Sequence, residues 1–514
     1  MRWATHRVNT GMDARPSWLS ALIADARAHP GRALAIVVTL HVIVWTALPA
    51  LLSHNLQLDL AEALALGREW QLGYWKLPPL PWWLADLAVR ATGTTDALYL
   101  LGPLSIAVCF TAVWRLGLDV AAPAIALIAV LALEGAHYFN FTAVKFNHDV
   151  LQLPLWALTG LCLYRAIMRE SVVYWIAAGV MLALAAWTKY SAAVLGLSMA
   201  LFVLADPVAR RSLRTPGPYL MVLAFAVVLG PHLYWLYDNN FIPFRYADTR
   251  ARIATHWYQF FLFPLQWIGG QIFFLLPTLG LIALMMRGRT NSAAPDAAFA
   301  RRYVTMLAFG PFAAVTLIAL AFGRLPIAMW GYPLWSFLPL AALMWFGVDE
   351  AARVRRFAMA FLVVFAAMPL AYLVVEGFEP LWRDRPKATQ FPGPTLAKEV
   401  TQRWREKYST PLPYVGGGEF ATNLIAIHSA DRPRVIVHAD PALSPWVDRN
   451  DLRARGAVLV WEDGQLDAEA LARLRSAYPG LAVQEPLILP RRAWVRASTL
   501  HPVRVHYALV PPRP

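Results

Sequence analysis

Charged residues are scarce in this sequence. Only 15% of its 514 residues are Asp, Glu, Lys or Arg, and 58% are hydrophobic, whereas about 25% of the residues of a typical soluble protein are charged. The apolar residues fall in blocks of roughly 18 to 22, the length that crosses the hydrocarbon core of a bilayer. This composition excludes an ordinary soluble protein and predicts a polytopic α-helical membrane protein.

Cysteine is scarce too, and the many basic residues form no single patch. Cys109 and Cys162 both lie in apolar runs, so we expect neither a disulfide framework nor a cysteine metal site. The net charge of +14 comes from arginines in short clusters between apolar blocks, which is typical of membrane topology rather than of nucleic-acid binding. We therefore expect membrane lipids, and no nucleic acid, as partners.

About eleven apolar segments predict membrane-spanning helices. They cover residues 32–53, 96–114, 120–134, 150–168, 172–188, 190–205, 217–237, 258–286, 303–322, 332–348 and 356–376. Residues 1–31 form an Arg-rich flank, which we interpret as cytoplasmic, followed by a retained signal anchor. With this orientation every inner connection is basic, as the positive-inside rule expects; the inner arginines include Arg165, Arg211, Arg287, Arg289 and Arg355. The sequence thus predicts a transmembrane domain over 32–377.

The unusual polar groups collect on the outer face in this topology. They lie in the loop 54–95 and in the segments 137–149, 189–190, 238–256 and 324–330. Carboxylates, amides and bases supplied by several loops to one face predict the walls of a single site. We interpret the outer bases as ligands of a phosphate or pyrophosphate headgroup, with snorkelling to lipid headgroups as the alternative. These bases are Lys76, Lys145, Lys189, Arg245, Arg250, Arg252 and Arg324.

Two carboxylates one helical turn apart make the loop 54–95 the leading candidate for chemistry. Asp59 could accept a proton from a substrate hydroxyl, or it could cap the helix that begins beside it. Glu62 could assist, but a solvated helix face is the simpler explanation. Asp149 follows Asn147 and His148 at the start of an apolar helix, where it could contact a lipid phosphate or only stabilise the helix N-terminus.

The composition changes from about residue 378. Short β-rich runs at 435–437, 457–460 and 503–510 alternate with helical stretches at 421–429, 448–455 and 467–478, which predicts a small extracytoplasmic α/β domain over 378–514. Its Gly416-Gly417-Gly418 could cradle a phosphate, but we expect a simple turn, because a lone triple glycine is a weak signal.

These motifs resemble a family, the GT-C glycosyltransferases. Asp59 followed by Gly73-Tyr74-Trp75-Lys76-Leu77-Pro78-Pro79-Leu80 is similar to the first outer loop of glycosyltransferase family 39, the protein O-mannosyltransferases, and of the lipid A aminoarabinose transferases and rhizobial lipopolysaccharide galacturonosyltransferases. Asn147-His148-Asp149 and the turn Ala185–Ala193 are similar to later family segments. The match covers roughly residues 32–350. One departure is that Leu60 breaks the family's acidic pair.

The resemblance implies that one sugar is transferred, with inversion, from a polyprenyl-phosphate donor to a hydroxyl of lipid A or lipopolysaccharide, another glycolipid or a protein. It implies a multi-pass protein of the bacterial inner membrane with a periplasmic site, in which Asp59 is the general base. The expected substrate-binding residues are Glu62, Tyr74, Lys76, Asn147, His148, Asp149, Lys189, Tyr190, Arg245, Arg250 and Arg324. We expect no dedicated metal site, although some relatives use a divalent cation near the carboxylates.

Two other functions compete with a transferase. A transporter or flippase of a lipid-linked glycan would place ionisable residues near the midplane of interrupted helices, whereas the apolar cores of the predicted helices lack charges. A membrane scaffold would explain the C-terminal domain but not the polar outer loops.

Overall fold

The computed structural model describes residues 17–286, 295–346, 350–495 and 500–513. Residues 1–16 of the predicted cytoplasmic flank lie outside the described residues. The same holds for two arginines of the predicted inner loops, Arg287 and Arg289. The membrane part begins with α1 to α8, which are Trp18–Ala28, Pro30–Leu52, Leu58–Gly67, Leu80–Thr92, Leu98–Val120, Pro123–Leu133, His148–Met168 and Val172–Thr188. It continues with α9 to α16, which are Ala192–Ala205, Pro207–Arg210, Gly217–Asp238, Ile242–Arg250, Gln259–Met285, Pro295–Phe322, Leu338–Phe346 and Glu350–Leu373.

Seven of the described helices are long and apolar enough to cross a membrane. They are Pro30–Leu52, Thr95–Val120, His148–Met168, Gly217–Asp238, Gln259–Met285, Asp296–Phe322 and Arg353–Leu381. They confirm the prediction of a polytopic helical membrane protein. The other predicted spans are helical but shorter or broken: α6 and α8 have 11 and 17 residues, and the segment 332–348 contains a 3-10 stretch before α15.

The remaining predicted span, 190–205, belongs to a bent pair of helices. α9 meets the segment Pro207–Arg214, which begins with α10, at an angle of 84°. The bend has a local cause, because the Asp206 side chain accepts hydrogen bonds from the backbone N–H groups of Val208 and Ala209 and so starts a new helix at Pro207. Apolar composition alone does not reveal such a break.

The outer loop 54–95 is folded and largely buried. Its helix α3 is buried from Leu60 to Gly67 and packs against α4 and against the C-terminal domain. Gly67 makes the close approach possible, since a Cβ atom there would lie 2.2 Å from the carbonyl oxygen of Trp82. The buried hydroxyl of Tyr74 donates a hydrogen bond to the carbonyl of Leu66 at 2.8 Å, which turns the chain back along α3.

A small α/β unit follows the last membrane helix. Its helices α17 to α20 are Gly393–Tyr408, Glu419–His428, Arg449–Arg455 and Ala468–Ala477. Its strands β3 to β8 are Tyr414–Gly417, Arg434–Val437, Ala457–Glu462, Ala482–Val483, Leu487–Leu489 and Val503–Val510, while β1 and β2, Arg252–Ile253 and Arg324–Leu325, form a separate ribbon on the membrane part. The sheet order is β4-β3-β5-β8-β6, with β7 also paired to β8. The strands β4, β3 and β5 are parallel, and β8 runs antiparallel to β5.

The triple glycine lies where β3 leads into α18. Gly417 has a φ of 112°, and a Cβ atom there would lie 2.1 Å from the carbonyl oxygen of Val460, so close strand packing requires the glycine. The first turn of α18 carries an acidic side chain, Glu419, at the place where an anion would bind. The geometry therefore favours the turn over a phosphate cradle.

Candidate active site

A cavity of about 760 Å³ lies at the end of the membrane helices that carries the loop 54–95. Most of the predicted site residues line it: Asp59, Glu62, Lys76, Asn147, His148, Asp149, Lys189, Tyr190, Arg250 and Arg324. Tyr74 and Arg245 do not line it, because Tyr74 is fully buried behind α3 and Arg245 is exposed on α12. The structure thus brings together side chains from all five of the polar segments predicted to share one face.

Asp59 lies in the first turn of α3 and is partly exposed to the cavity. Its Oδ2 accepts a hydrogen bond from Nδ2 of Asn147 at 2.7 Å. Asn147 is at the same time the N-cap of α7, since its Oδ1 accepts hydrogen bonds from the backbone N–H groups of Asp149 and Val150. One neutral amide therefore fixes Asp59 relative to α7. In the described part of the chain, no further side chain pairs with the Asp59 carboxylate.

Asp149 forms an ion pair with Lys189. The Nζ of Lys189 lies 2.5 Å from Oδ1 of Asp149, and the two side chains are only 14% and 13% exposed. Asp149 belongs to the first turn of α7 and Lys189 is the C-cap of α8, so the pair joins two packed helices at the cavity wall. The ammonium also lies 5.7 Å from the ring centroid of Trp330. The negative charge of Asp149 is therefore balanced by the ammonium of Lys189.

Glu62 belongs to a second ion cluster, which contradicts the interpretation as a solvated helix face. It is only 4% exposed and forms an ion pair with Lys76. The Nζ of Lys76 also lies 2.8 Å from Oε1 of Glu419, in the C-terminal domain. Burial raises the pKa of Glu62 well above its ordinary value, and the Glu419 carboxylate adds to the shift while Lys76 opposes it. Burial alone would lower the pKa of Lys76, but the two carboxylates raise it.

His148 and Tyr190 are held in the cavity wall by contacts with neighbouring segments. The Nε2 of buried His148 lies 3.0 Å from the carbonyl oxygen of Pro78, and its ring packs edge-on against Trp82. The hydroxyl of Tyr190 lies 3.2 Å from Nε2 of His232. Both contacts fix the folded outer loop or its neighbours, since Nδ1 of His232 in turn lies 2.6 Å from a carbonyl oxygen of that loop.

Three further bases reach the cavity. Lys145 lines it without a hydrogen bond or ion pair to any described residue; together with burial, its charge lowers the pKa of nearby His137 to about 4. Arg324 lies in the β1–β2 ribbon, where it is paired with Ile253. The guanidinium of Arg250 lies 5.6 Å from the ring centroid of Tyr246. Positive charge and aromatic rings thus border the cavity, and the ring of Tyr246 also lies 5.9 Å from Nζ of Lys76.

One flank of the cavity is apolar. It includes Val194 of α9 and four side chains of α14, which are Val315, Ile318, Ala319 and Phe322. Phe322 and Ile318 are also exposed at the outer surface of the helix bundle, where lipid would surround a membrane protein. The site can therefore hold a charged group next to a long apolar chain.

The carboxylates do not form a metal site. Among the residues that the structure describes, no group of three or more His, Cys, Asp or Glu side chains could hold a metal ion. Asp59 and Asp149 are the two acids nearest to such a role, but the Lys189 ammonium takes the place beside Asp149 that a cation would need. The donor set does not fit a divalent cation.

Sequence reasoning missed two features of the site and its surroundings. It assigned no role to the C-terminal domain, whose Glu419 reaches Lys76 across 343 residues of sequence; no local signal marks such a contact. It also treated the helix cores as free of ionisable groups. However, His41 lies in the middle of α2, and its Nδ1 is 2.8 Å from Oε1 of Glu134. Both side chains are buried. A histidine inside an apolar run is itself a signal for such a pair.

Comparisons with known proteins agree with this architecture. Residues 76–235 match the family model described as dolichyl-phosphate-mannose-protein mannosyltransferase. The crystal structure of ArnT from Cupriavidus metallidurans bound to undecaprenyl phosphate is similar over 93% of this chain and 99% of that chain, with 14% sequence identity and a TM-score of 0.59. Its apo form is similar over 95% of this chain and 100% of that chain, with 15% identity and a TM-score of 0.58. No curated protein sequence matches. The predicted resemblance is confirmed at the level of the fold: this multi-pass membrane protein has a fold similar to that of ArnT, and its residues 76–235 match the mannosyltransferase family model.

Proposed function

We propose that this protein is a glycosyltransferase that moves one sugar from a polyprenyl-phosphate donor to a hydroxyl acceptor. The proposal rests on one observation about the cavity carboxylates. Of those in the described residues, Glu62 and Asp149 are paired with lysines, whereas Asp59 accepts a hydrogen bond from a neutral amide. An unpaired carboxylate at an aqueous cavity is the group suited to accept a proton.

Asp59 is the general base in this proposal. It removes the proton from the acceptor hydroxyl while that oxygen attacks the anomeric carbon, and the bond from this carbon to the phosphate oxygen breaks. The electron pair leaves with the polyprenyl phosphate. A single displacement of this kind inverts the anomeric configuration. Asn147 holds Asp59 in place through the 2.7 Å hydrogen bond, because a fixed base needs no reorganisation during the reaction.

Three bases that line the cavity are proposed to hold the donor phosphate. Lys145, Arg250 and Arg324 supply positive charge to the cavity, which would stabilise the charge that develops on the leaving phosphate. The apolar side chains of α14 beside them suit the prenyl chain. The similarity to a protein whose crystal structure contains undecaprenyl phosphate supports this choice of lipid class. Lys189 would act through Asp149 rather than on the phosphate, since the two form an ion pair.

The location of the reaction is part of the same proposal. Residues 32–377 would form the transferase domain and residues 378–514 a periplasmic domain, in the inner membrane of a bacterium, because the predicted inner connections are Arg-rich. The acceptor would be lipid A or lipopolysaccharide, another glycolipid, or a protein. The competing transporter has less support, since the buried His41–Glu134 pair does not line the cavity.

The test is sugar transfer by purified protein. Wild-type protein and Asp59→Asn are each incubated with a panel of synthetic polyprenyl-phosphate pentoses and hexoses and with envelope glycolipids, and released polyprenyl phosphate is measured by mass spectrometry. We expect Asp59→Asn to lose at least about 100-fold in kcat, because general bases contribute about 10²- to 10⁴-fold.

A matched carboxylate provides the control. Asp96→Asn makes the same change at an exposed position outside the cavity, and we expect wild-type activity from it. An Asp59→Asn variant with near-wild-type transfer would refute the role of Asp59. Wild-type protein that transfers no sugar from any donor, but carries lipid-linked glycan across vesicles, would refute the transferase.

A further inference from the structure

The C-terminal domain supplies a charged side chain to the back of the cavity wall. Glu419 lies at the first position of α18, at the carboxyl edge of the parallel strands β3 and β4. This edge of a parallel sheet, with its helix N-termini, is where ligands of α/β domains bind. In this protein the outer loop covers the edge, and the ring of its Trp75 lies 4.9 Å from that of His438, just beyond β4.

The contact between Glu419 and the loop is directed at one cavity residue. Lys76 lines the cavity and is only 9% exposed. Its Nζ contacts Glu62 on one side and Glu419, at 2.8 Å, on the other. Glu419 itself does not line the cavity, so its contact with the site is made through Lys76.

The charges of this cluster do not balance, which gives Glu419 a specific effect. Two carboxylates share one ammonium, so the cluster carries a net charge of about −1 when all three groups are ionised. The partial positive charge at the N-terminus of α18 stabilises Glu419, and the pKa of Glu419 is lowered by Lys76 against the opposing effect of burial. Lys76 thus favours the ionised form of Glu419, and their contact restrains the Lys76 ammonium.

We propose that Glu419 is a positioning residue for the transfer reaction, holding the Lys76 ammonium against Glu62 in the cavity wall. The inference rests on the proposed function, and it gives the C-terminal domain a part in the reaction. A side chain that only docks the two domains would act on stability alone. A positioning residue acts on turnover and on the titration of the groups it contacts.

The experiment compares Glu419→Gln with a second contact between the same two regions. Arg434 of β4 forms an ion pair with Glu69 of the outer loop, at 2.5 Å, and neither residue lines the cavity. Arg434→Gln therefore removes a docking contact of similar kind without touching Lys76. Both variants are assayed for kcat, donor KM and pH–rate profile with the synthetic polyprenyl-phosphate sugar that wild-type protein uses best.

We expect Glu419→Gln to lower kcat by about 10- to 100-fold, the range for a misplaced group at a reactive site, with donor KM changed by less than about threefold. The Glu419 carboxylate raises the pKa of Glu62, so its removal lowers that pKa. Whichever limb of the pH–rate profile Glu62 governs therefore moves to lower pH. Arg434→Gln should leave kcat and the profile unchanged.

Other outcomes separate the two proposals. The positioning role alone would be overturned if wild-type protein transfers sugar and Glu419→Gln has an unchanged kcat and pH–rate profile. It would also be overturned if Arg434→Gln lost as much kcat as Glu419→Gln. Absence of transfer in wild-type protein would remove the proposed function, and the positioning role with it. If Glu419→Gln does not fold, Glu419→Asp takes its place in the experiment. The shorter side chain keeps the negative charge but moves it away from Lys76, so we expect a lower kcat and an unchanged midpoint of the pH–rate profile. A wild-type kcat in Glu419→Asp would refute the positioning role.

Discussion

Breaking the ion pair between Asp149 and Lys189 should destabilise the protein strongly. Lys189→Met removes the ammonium and keeps an unbranched side chain of similar length. It leaves a carboxylate that is 13% exposed without its partner at 2.5 Å. Removing one member of a buried pair costs about 3–5 kcal/mol, because the remaining charge has lost its compensation. The low exposure of both side chains means that water offsets little of this cost.

The assay is the free energy of unfolding in mixed micelles, followed by tryptophan fluorescence during titration with a denaturing detergent. The double variant Asp149→Asn/Lys189→Met removes both charges, and we expect it to recover most of the loss, since replacing a whole buried pair is often close to neutral. Lowering the pH should narrow the gap between Lys189→Met and wild type, because a protonated carboxyl group needs no counter-ion.

A second lysine in the same cavity is the control. Lys145 makes no ion pair with any described residue, so Lys145→Met should change the unfolding free energy by no more than about 0.5 kcal/mol. The reasoning would be refuted if Lys189→Met were as mild as Lys145→Met, or if the double variant were no more stable than Lys189→Met. Either result would mean that Asp149 is adequately solvated without Lys189.

Two further predictions concern stability. Gly417→Ala should destabilise the C-terminal domain by more than Gly464→Ala, because the Cβ at position 417 would lie 2.1 Å from the carbonyl oxygen of Val460. At Gly464, where φ is 77°, the added Cβ meets no atom, so that variant carries only about 1–3 kcal/mol of backbone strain. Equal thermal unfolding midpoints for the two variants would contradict this prediction. Because the pKa of Glu62 is raised above its ordinary value of 4.5 in the folded protein, folded protein binds more protons than unfolded protein as the pH rises past that value, and stability falls. Glu62→Gln should remove this slope, measured as unfolding free energy against pH, and an unchanged slope would be inconsistent with a buried, ionisable Glu62.

The sequence by itself determined the solvent in which this protein folds and the order of its parts. Apolar blocks of bilayer length lead to membrane helices, because a lipid-exposed backbone must satisfy its hydrogen bonds within each helix. Alternating β-rich and helical stretches after residue 378 predicted the runs that became β4, β5, β8 and α18 to α20. Local motifs were enough to find Asp59, Asn147 and Asp149, because each lies at or near the start of a helix whose signals are local.

Only the tertiary structure decided which of these side chains meet. From the sequence, Asp149 could contact a lipid phosphate or only stabilise a helix N-terminus, whereas in the structure it pairs with Lys189, 40 residues away. The sequence placed Glu62 in water, whereas the packing of α3 against α18 buries it beside Lys76 and Glu419. Burial and pairing arise from contacts between distant segments, and those contacts depend on how helices pack rather than on what each segment contains. For this reason composition and motifs predicted residues that line one cavity, while the packing decided which of its carboxylates remains free of a lysine partner.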